Sequence, residues 1–232
     1  QLQIRKELWS IDLKTGKPTL NANPQAAKIA EIIHGINREL VERQNNAGAH
    51  INLADEYGAR QRHMREKLLY SEKTVEESKV AWKTYTLGLL DTVKSFGVKS
   101  AKEIDTILDD IYSHLTMGGE KKRGYDTDFN ENYGFNFGVE ERGKPLGDLV
   151  SKERVLMFKN AEAQHAYDMK YGSGDLMDNI YNSISKASGN IALMERFGPD
   201  PEGVFGKLLG KLNNLARDRT DMKLSEDITG KK

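Results

Sequence analysis

The five histidines, His34, His50, His63, His114 and His165, are the side chains best suited to acid–base or metal chemistry. No two stand three or four residues apart, so no helix would turn a pair of imidazoles toward one metal ion, and HExxH does not occur. His165 and Asp168 are spaced so that a carboxylate could orient an imidazole on one short helix. No Ser or Cys nucleophile motif accompanies them, and GxSxG is absent. Asp126, Asp128, Asn130 and Asn132 alternate like the oxygens of a calcium loop, but the sixth position is Glu131 where Gly is needed, and the twelfth is Phe137 where a bidentate Glu is needed. That stretch reads as a polar turn.

Two basic clusters remain. Arg60, Arg62 and Arg65 surround His63, and Lys121, Lys122 and Arg123 form a second run. Either cluster could contact phosphate. With Asp55, Glu56 and Glu66 close by, the first reads rather as a salt-bridged helix surface. Neither GxGxxG nor GxxxxGK[ST] occurs, so the glycines read as turns, and adjacent carboxylates such as Asp109-Asp110 diverge on any regular element. The expectation is a protein that is not an enzyme, with no catalytic residues, no metal and no cofactor.

Composition limits the partners. The chain has 232 residues, 35 Lys plus Arg against 35 Asp plus Glu, and a net charge of zero, so any attraction to nucleic acid or anionic membrane has to be local. Hydrophobic residues are 38% and charged residues 30%, with a mean hydropathy of -0.66, which suits helices with broad solvated faces and a thin core. There is no Cys, hence no disulfide framework or thiolate site. No apolar run approaches the roughly 20 residues that span a bilayer. The opening Gln1-Leu2-Gln3 has the character of a piece of something longer.

The elements follow from caps and periodicity. Residues 1–22 lack a sustained period and read as an arm or the end of a preceding element. Asn23 and Pro24 open a helix to about residue 45, and an interrupted helical pattern runs from Ile51 to Phe96 with a break near Ser71. Ser100 and Glu103 form a capping-box pattern ahead of a helix over 101–117, completing a helical region 23–117. Residues 118–150 form a long loop with seven Gly and the aromatics Tyr125, Phe129, Tyr133, Phe135 and Phe137. A loop of that length is usually functional or ordered by an interface, and these aromatics are the expected contact residues.

The second helical region, 151–218, begins with "RVLMFK", a strand or a buried turn, and Asn160 then caps a helix from Ala161 to Tyr171. Helices over 175–197 and 202–217 meet at a structural corner made by Gly198, Pro199 and Pro201, where Gly198 acts as a left-handed cap and Pro201 starts the next helix. Val204, Phe205, Leu208, Leu209, Leu212 and Leu215 form the apolar face of that last helix, and residues 219–232 are a polar tail. The fold expected is mainly α: an elongated bundle of amphipathic helices with one long Gly- and aromatic-rich loop and at most a short strand.

Three stretches, "AWKTYTLGLLDTVKSFG", "AKEIDTILDDIYSHLTMGG" and "SKERVLMFKNAEAQHAYDMKYGSGDLMDNIYNSISKASGNIALMERFGPDPEG", resemble in order and spacing a helical segment of large internal virion proteins of tailed bacteriophages, including DNA-ejection (DNA-transfer) proteins of short-tailed phages. The matching positions include Trp82, Leu89, Leu90 and Asp91 in the first block, and Arg154, Phe158, Lys159, Tyr171, Gly172, Gly174, Asp175, Leu176, Met194, Gly198, Pro199 and Pro201 in the last. The resemblance covers roughly residues 75 to 205 and carries over no catalytic residue. It implies a non-catalytic protein stored in the virion interior and delivered into the host cell envelope with or before the genome. Such a protein would assemble with itself or with other ejection proteins. A DNA-binding helical scaffold using the two basic clusters, and an accessory domain of a larger virion enzyme, stand as alternatives.

Overall fold

A computed structural model describes residues 1–51, 63–116, 145–151 and 155–218, with residues 216–218 described by their backbone alone. Ten helices and one two-stranded sheet account for its regular structure: α1 (Leu2–Trp9), β1 (Ile11–Asp12), β2 (Lys17–Pro18), α2 (Pro24–Asn46), α3 (Arg65–Leu69), α4 (Val75–Leu89), α5 (Thr92–Phe96), α6 (Ala101–Thr116), α7 (Leu146–Val150), α8 (Ala161–Tyr171), α9 (Leu176–Phe197) and α10 (Pro201–Asp218). The fold is mainly α.

The expected caps are formed. The Asn23 side chain accepts from the amides of Gln25 and Ala26, Ser100 and Glu103 bond reciprocally, and Asn160 accepts from the Ala163 amide at 2.8 Å. Thr74 and Glu77 add a capping box at the start of α4. Residues 1–22, expected as an arm, instead form α1 and an antiparallel hairpin pairing Ile11 with Pro18. The short α7 lies within the stretch expected to be loop. Four apolar residues in α1 and three in α7 are too few for periodicity to show either helix.

The chain divides into two compact units, Gln1–Leu40 with Leu53–Glu141 and Glu153–Lys186, and Val41–Asn52 with Arg142–Lys152 and Ala187–Lys232. The first unit holds two cores. One gathers Trp82, Leu68, Leu90, Ile107, Leu108, Tyr112, Phe158, Tyr167 and Tyr171, and the other Leu8, Ile11, Ala30, Ile33, Leu176 and Ile180. Complete burial of a side chain such as Leu90 or Ile107 contributes about 1.5–3 kcal/mol. Ion pairs from Lys79 and Lys83 on α4 to Asp105 and Asp109 on α6 line its solvated rim.

Within "RVLMFK" the described residues 155–159 form a crossing with a single bridge, Phe158 opposite Leu90, in which Phe158 is buried, Val155, Leu156 and Met157 are half-buried and Lys159 is exposed. The Asp91 amide donates to the Met157 carbonyl at 2.9 Å, the Lys159 amide to Leu89 at 3.0 Å, and the Ser95 hydroxyl bonds Met157. Residues 89–91 and 157–159, from two separate blocks of the resemblance, are thereby adjacent. In the second unit, Ala49, Val150 and Met194 form a smaller core with Ala47, Ile51 and Leu146 at its edge.

Candidate interaction surface

Gly198 ends α9 in the left-handed region at φ 79°, its amide donating to the Met194 carbonyl at 2.8 Å. Asp200 then caps α10, its carboxylate accepting from the Gly203 amide at 2.9 Å, and Pro201 is the first helical residue. The corner is also braced from outside. The Pro199 carbonyl accepts from the Gly147 amide at 2.9 Å, and the Pro199 ring lies against Gly48 so closely that a Cβ on Gly48 would come within 2.9 Å of it. A Cβ on Gly147 would fall 2.5 Å from the Gly48 carbonyl oxygen. Two glycines distant in sequence thus make room for the corner, and Gly48 additionally holds φ 103°.

The helix that this corner launches keeps much of its apolar side in solvent, with Val204 and Leu209 half-buried. Phe205, Leu208, Leu212 and Leu215 are 49%, 48%, 39% and 54% exposed. Phe205 meets Phe197 across the corner with ring centroids 5.1 Å apart. At 100° per residue these four, with Val204 and Leu209, fill an unbroken apolar arc about 140° wide. Lys207 and Lys211 stand exposed beside it. Sequence periodicity marks that face as apolar, and an apolar face is ordinarily a core face. Its exposure is a tertiary fact.

The other sequence candidates separate into those the structure describes and those it does not. Tyr125, Phe129, Tyr133, Phe135, Phe137, Lys121, Lys122, Arg123, Arg60 and Arg62, and the oxygen series from Asp126, lie outside the described residues. Arg65 donates through Nε to the Thr116 carbonyl at the end of α6, where a cation complements the helix dipole.

His165 and Asp168 do not form an acid–base couple. The Asp168 carboxylate is wholly buried, pairs with the Arg5 guanidinium from α1, and accepts from Asn179 Nδ2 at 3.2 Å on both oxygens. Burial pulls the Arg5 pKa below its ordinary value, and Asp168 opposes that shift. His165 has its pKa lowered by burial first and by Arg5 second. Gly172 is needed here for space, since a Cβ would lie 2.1 Å from an Asp168 oxygen.

A second polar group sits in the larger core. Trp82 Nε1 donates to the buried Tyr167 hydroxyl at 3.1 Å, and that hydroxyl lies 3.1 Å from His63 Nδ1. With one lone pair taken by Trp82, the phenol is placed to donate to a neutral imidazole. Burial, helped by His114, pushes the His63 pKa down to about 4, and burial raises that of Tyr167. Both networks satisfy polar atoms of the core and neither opens a nucleophile to solvent. Among the described residues no group of three or more His, Asp or Glu is arranged to hold a metal ion. No family model, curated protein or solved structure matches the chain.

Proposed function

We propose that this chain is a helical segment of an internal virion protein of a tailed bacteriophage, ejected into the host envelope, where it assists genome delivery by association and without catalytic turnover. The resemblance over residues 75 to 205 is the source of the phage assignment. The single observation that favours association with something outside the chain is α10, an 18-residue helix on whose apolar face Phe205, Leu208, Leu212 and Leu215 are 39–54% exposed. Of the pair that reads most like chemistry, His165 and Asp168, the carboxylate is taken up by Arg5 and Asn179 instead.

In this reading the protein–protein contacts centre on Tyr125, Phe129, Tyr133, Phe135 and Phe137, with further copies of the chain or other ejected proteins as partners. Light scattering tests it. The expected mass is a multiple of 26.1 kDa for the chain alone, or exceeds 26.1 kDa by a partner's mass with the co-packaged virion proteins, and Phe135→Ser with Phe137→Ser lowers it while helix content stays unchanged. A mass of one chain at high concentration, alone and with those proteins present, overturns the reading.

A further inference from the structure

We propose that α10 is an in-plane membrane helix, seating Phe205, Leu208, Leu212 and Leu215 in the acyl boundary of an anionic lipid surface with Lys207 and Lys211 at the headgroups. The inference uses α10 alone and does not depend on a virion origin.

Three observations carry it. First, the face is continuous and open: four large apolar side chains at spacings of three, four and three are each more than a third exposed. Single exposed leucines are ordinary, but a full helix face in solvent marks a surface meant to be covered. Second, the helix contributes little to its own order. Its interior contains Gly206 and Gly210, each costing about 1 kcal/mol against Ala, and little burial offsets them. At Gly206 and Gly210 nothing lies within 4 Å of where a Cβ would stand, so no close packing within the chain calls for glycine there. A covering surface would supply the missing stabilisation.

Third, the middle of the helix is basic. Between its end acids, Glu202 and Asp218, α10 carries Lys207, Lys211 and Arg217 and no acid, which leaves the helix at +1 in a chain that is neutral as a whole. This is the local basic patch that a neutral chain requires if it is to reach an anionic surface. Lysines at the margin of an apolar arc can extend to headgroups while their stems lie along the acyl boundary. A second copy of α10 fits less well. In the antiparallel pairing that sets Phe205 against Leu215 and Leu208 against Leu212, Gly210 faces Gly210, and Lys207 and Lys211 of both copies fall along one margin of the seam as like charges.

Among the described residues no helix is long and apolar enough to cross a membrane, so seating is parallel to the surface. At 1.5 Å per residue α10 would lay down about 27 Å of helix.

The test is flotation of the full chain with phosphatidylcholine vesicles, with and without phosphatidylglycerol, at low and high salt. The parent is expected to float with the anionic vesicles and to lose much of that binding in high salt. Lys207→Glu with Lys211→Glu should weaken binding to anionic vesicles by about tenfold or more while leaving binding to neutral vesicles unchanged. Leu208→Glu with Leu212→Glu should abolish binding to both. Circular dichroism of each variant, without lipid, should match the parent. Absence of flotation with anionic vesicles at low salt overturns the proposal, as does flotation indifferent to both double variants. A lipid-free dimer that Leu208→Glu with Leu212→Glu dissociates would assign the face to a second copy and overturns it equally.

Discussion

The two compact units solve the same problem, covering amphipathic helices, to different degrees. In the first, Trp82, Tyr167 and Tyr171 are wholly buried, and even the charges of Arg5, Glu7 and Asp168 are enclosed and partnered. The Glu7 carboxylate accepts from the amides of Asn21, Ala22 and Asn23, which fixes the turn into α2. In the second unit a small core of Ala49, Val150 and Met194 sits under a corner set by three close backbone contacts, and α10 leaves that corner with its leucines in solvent. Partnered buried charges inside one unit and a half-exposed apolar face on the other separate what this chain does for its own stability from what it offers to a surface.

Both tryptophans, Trp9 and Trp82, belong to the first unit, so their fluorescence reports its unfolding alone, whereas circular dichroism follows helices in both. The largest effect expected is from Asp168→Ala. It leaves the Arg5 guanidinium buried without its carboxylate and removes the acceptor of Asn179, at a cost of about 3–5 kcal/mol in the fluorescence-detected transition. A loss below about 1 kcal/mol would show that this network does not hold the first unit together.

Next is acid. The neutral His63 has a folded-state pKa of about 4 against an ordinary 6.5, so the unfolded chain binds the extra proton first. The contribution is fully present above pH 6.5 and is lost as pH falls toward 4, at most on the order of 3 kcal/mol. His63→Phe should flatten the dependence of the fluorescence transition on pH within that window. An unchanged slope would remove His63 from the account.

Gly147→Ala follows, at about 1–3 kcal/mol, because its methyl group would press on the Gly48 carbonyl and the Pro199 ring. Gly206→Ala on α10 is the control: with open space at its Cβ it should be neutral or stabilising by up to about 1 kcal/mol. Similar losses from the two, by circular dichroism, would mean the corner is no tighter than the helix it launches. The smallest effect expected is Leu208→Ser with Leu212→Ser, within about 1 kcal/mol in the absence of lipid or partner, since both side chains are already in solvent. A loss like that of a core leucine, about 2–5 kcal/mol, would show that α10 packs within the chain and would erase the contrast.

Helix positions were largely legible beforehand wherever a polar cap met a periodic apolar run. Asn23, Ser100 and Asn160 start α2, α6 and α8, and Gly97, Gly172 and Gly198 follow helix ends. These are local events, settled by hydrogen bonds and backbone conformations within four residues. The candidate site was legible only as an apolar stripe from Val204 to Leu215; nothing in its spacing separates a stripe that is covered from one that is not. The aromatics Tyr125 to Phe137 and the basic residues Arg60, Arg62 and Lys121 to Arg123 lie outside the described residues.

The sequence by itself determined the mainly helical class, the absence of thiolate chemistry, and the turn at Gly198 to Pro201, because composition and short-range backbone preference suffice for each. Only the tertiary structure decided that Arg5 meets Asp168 across 163 residues and that His63 reaches Tyr167 across 104. It also decided that Gly48 and Gly147 make room for Pro199, and that α10 keeps its leucines exposed. Each of these depends on which distant elements come together, and a one-dimensional pattern of apolar and polar residues fixes which side of a helix is apolar without fixing what lies against it.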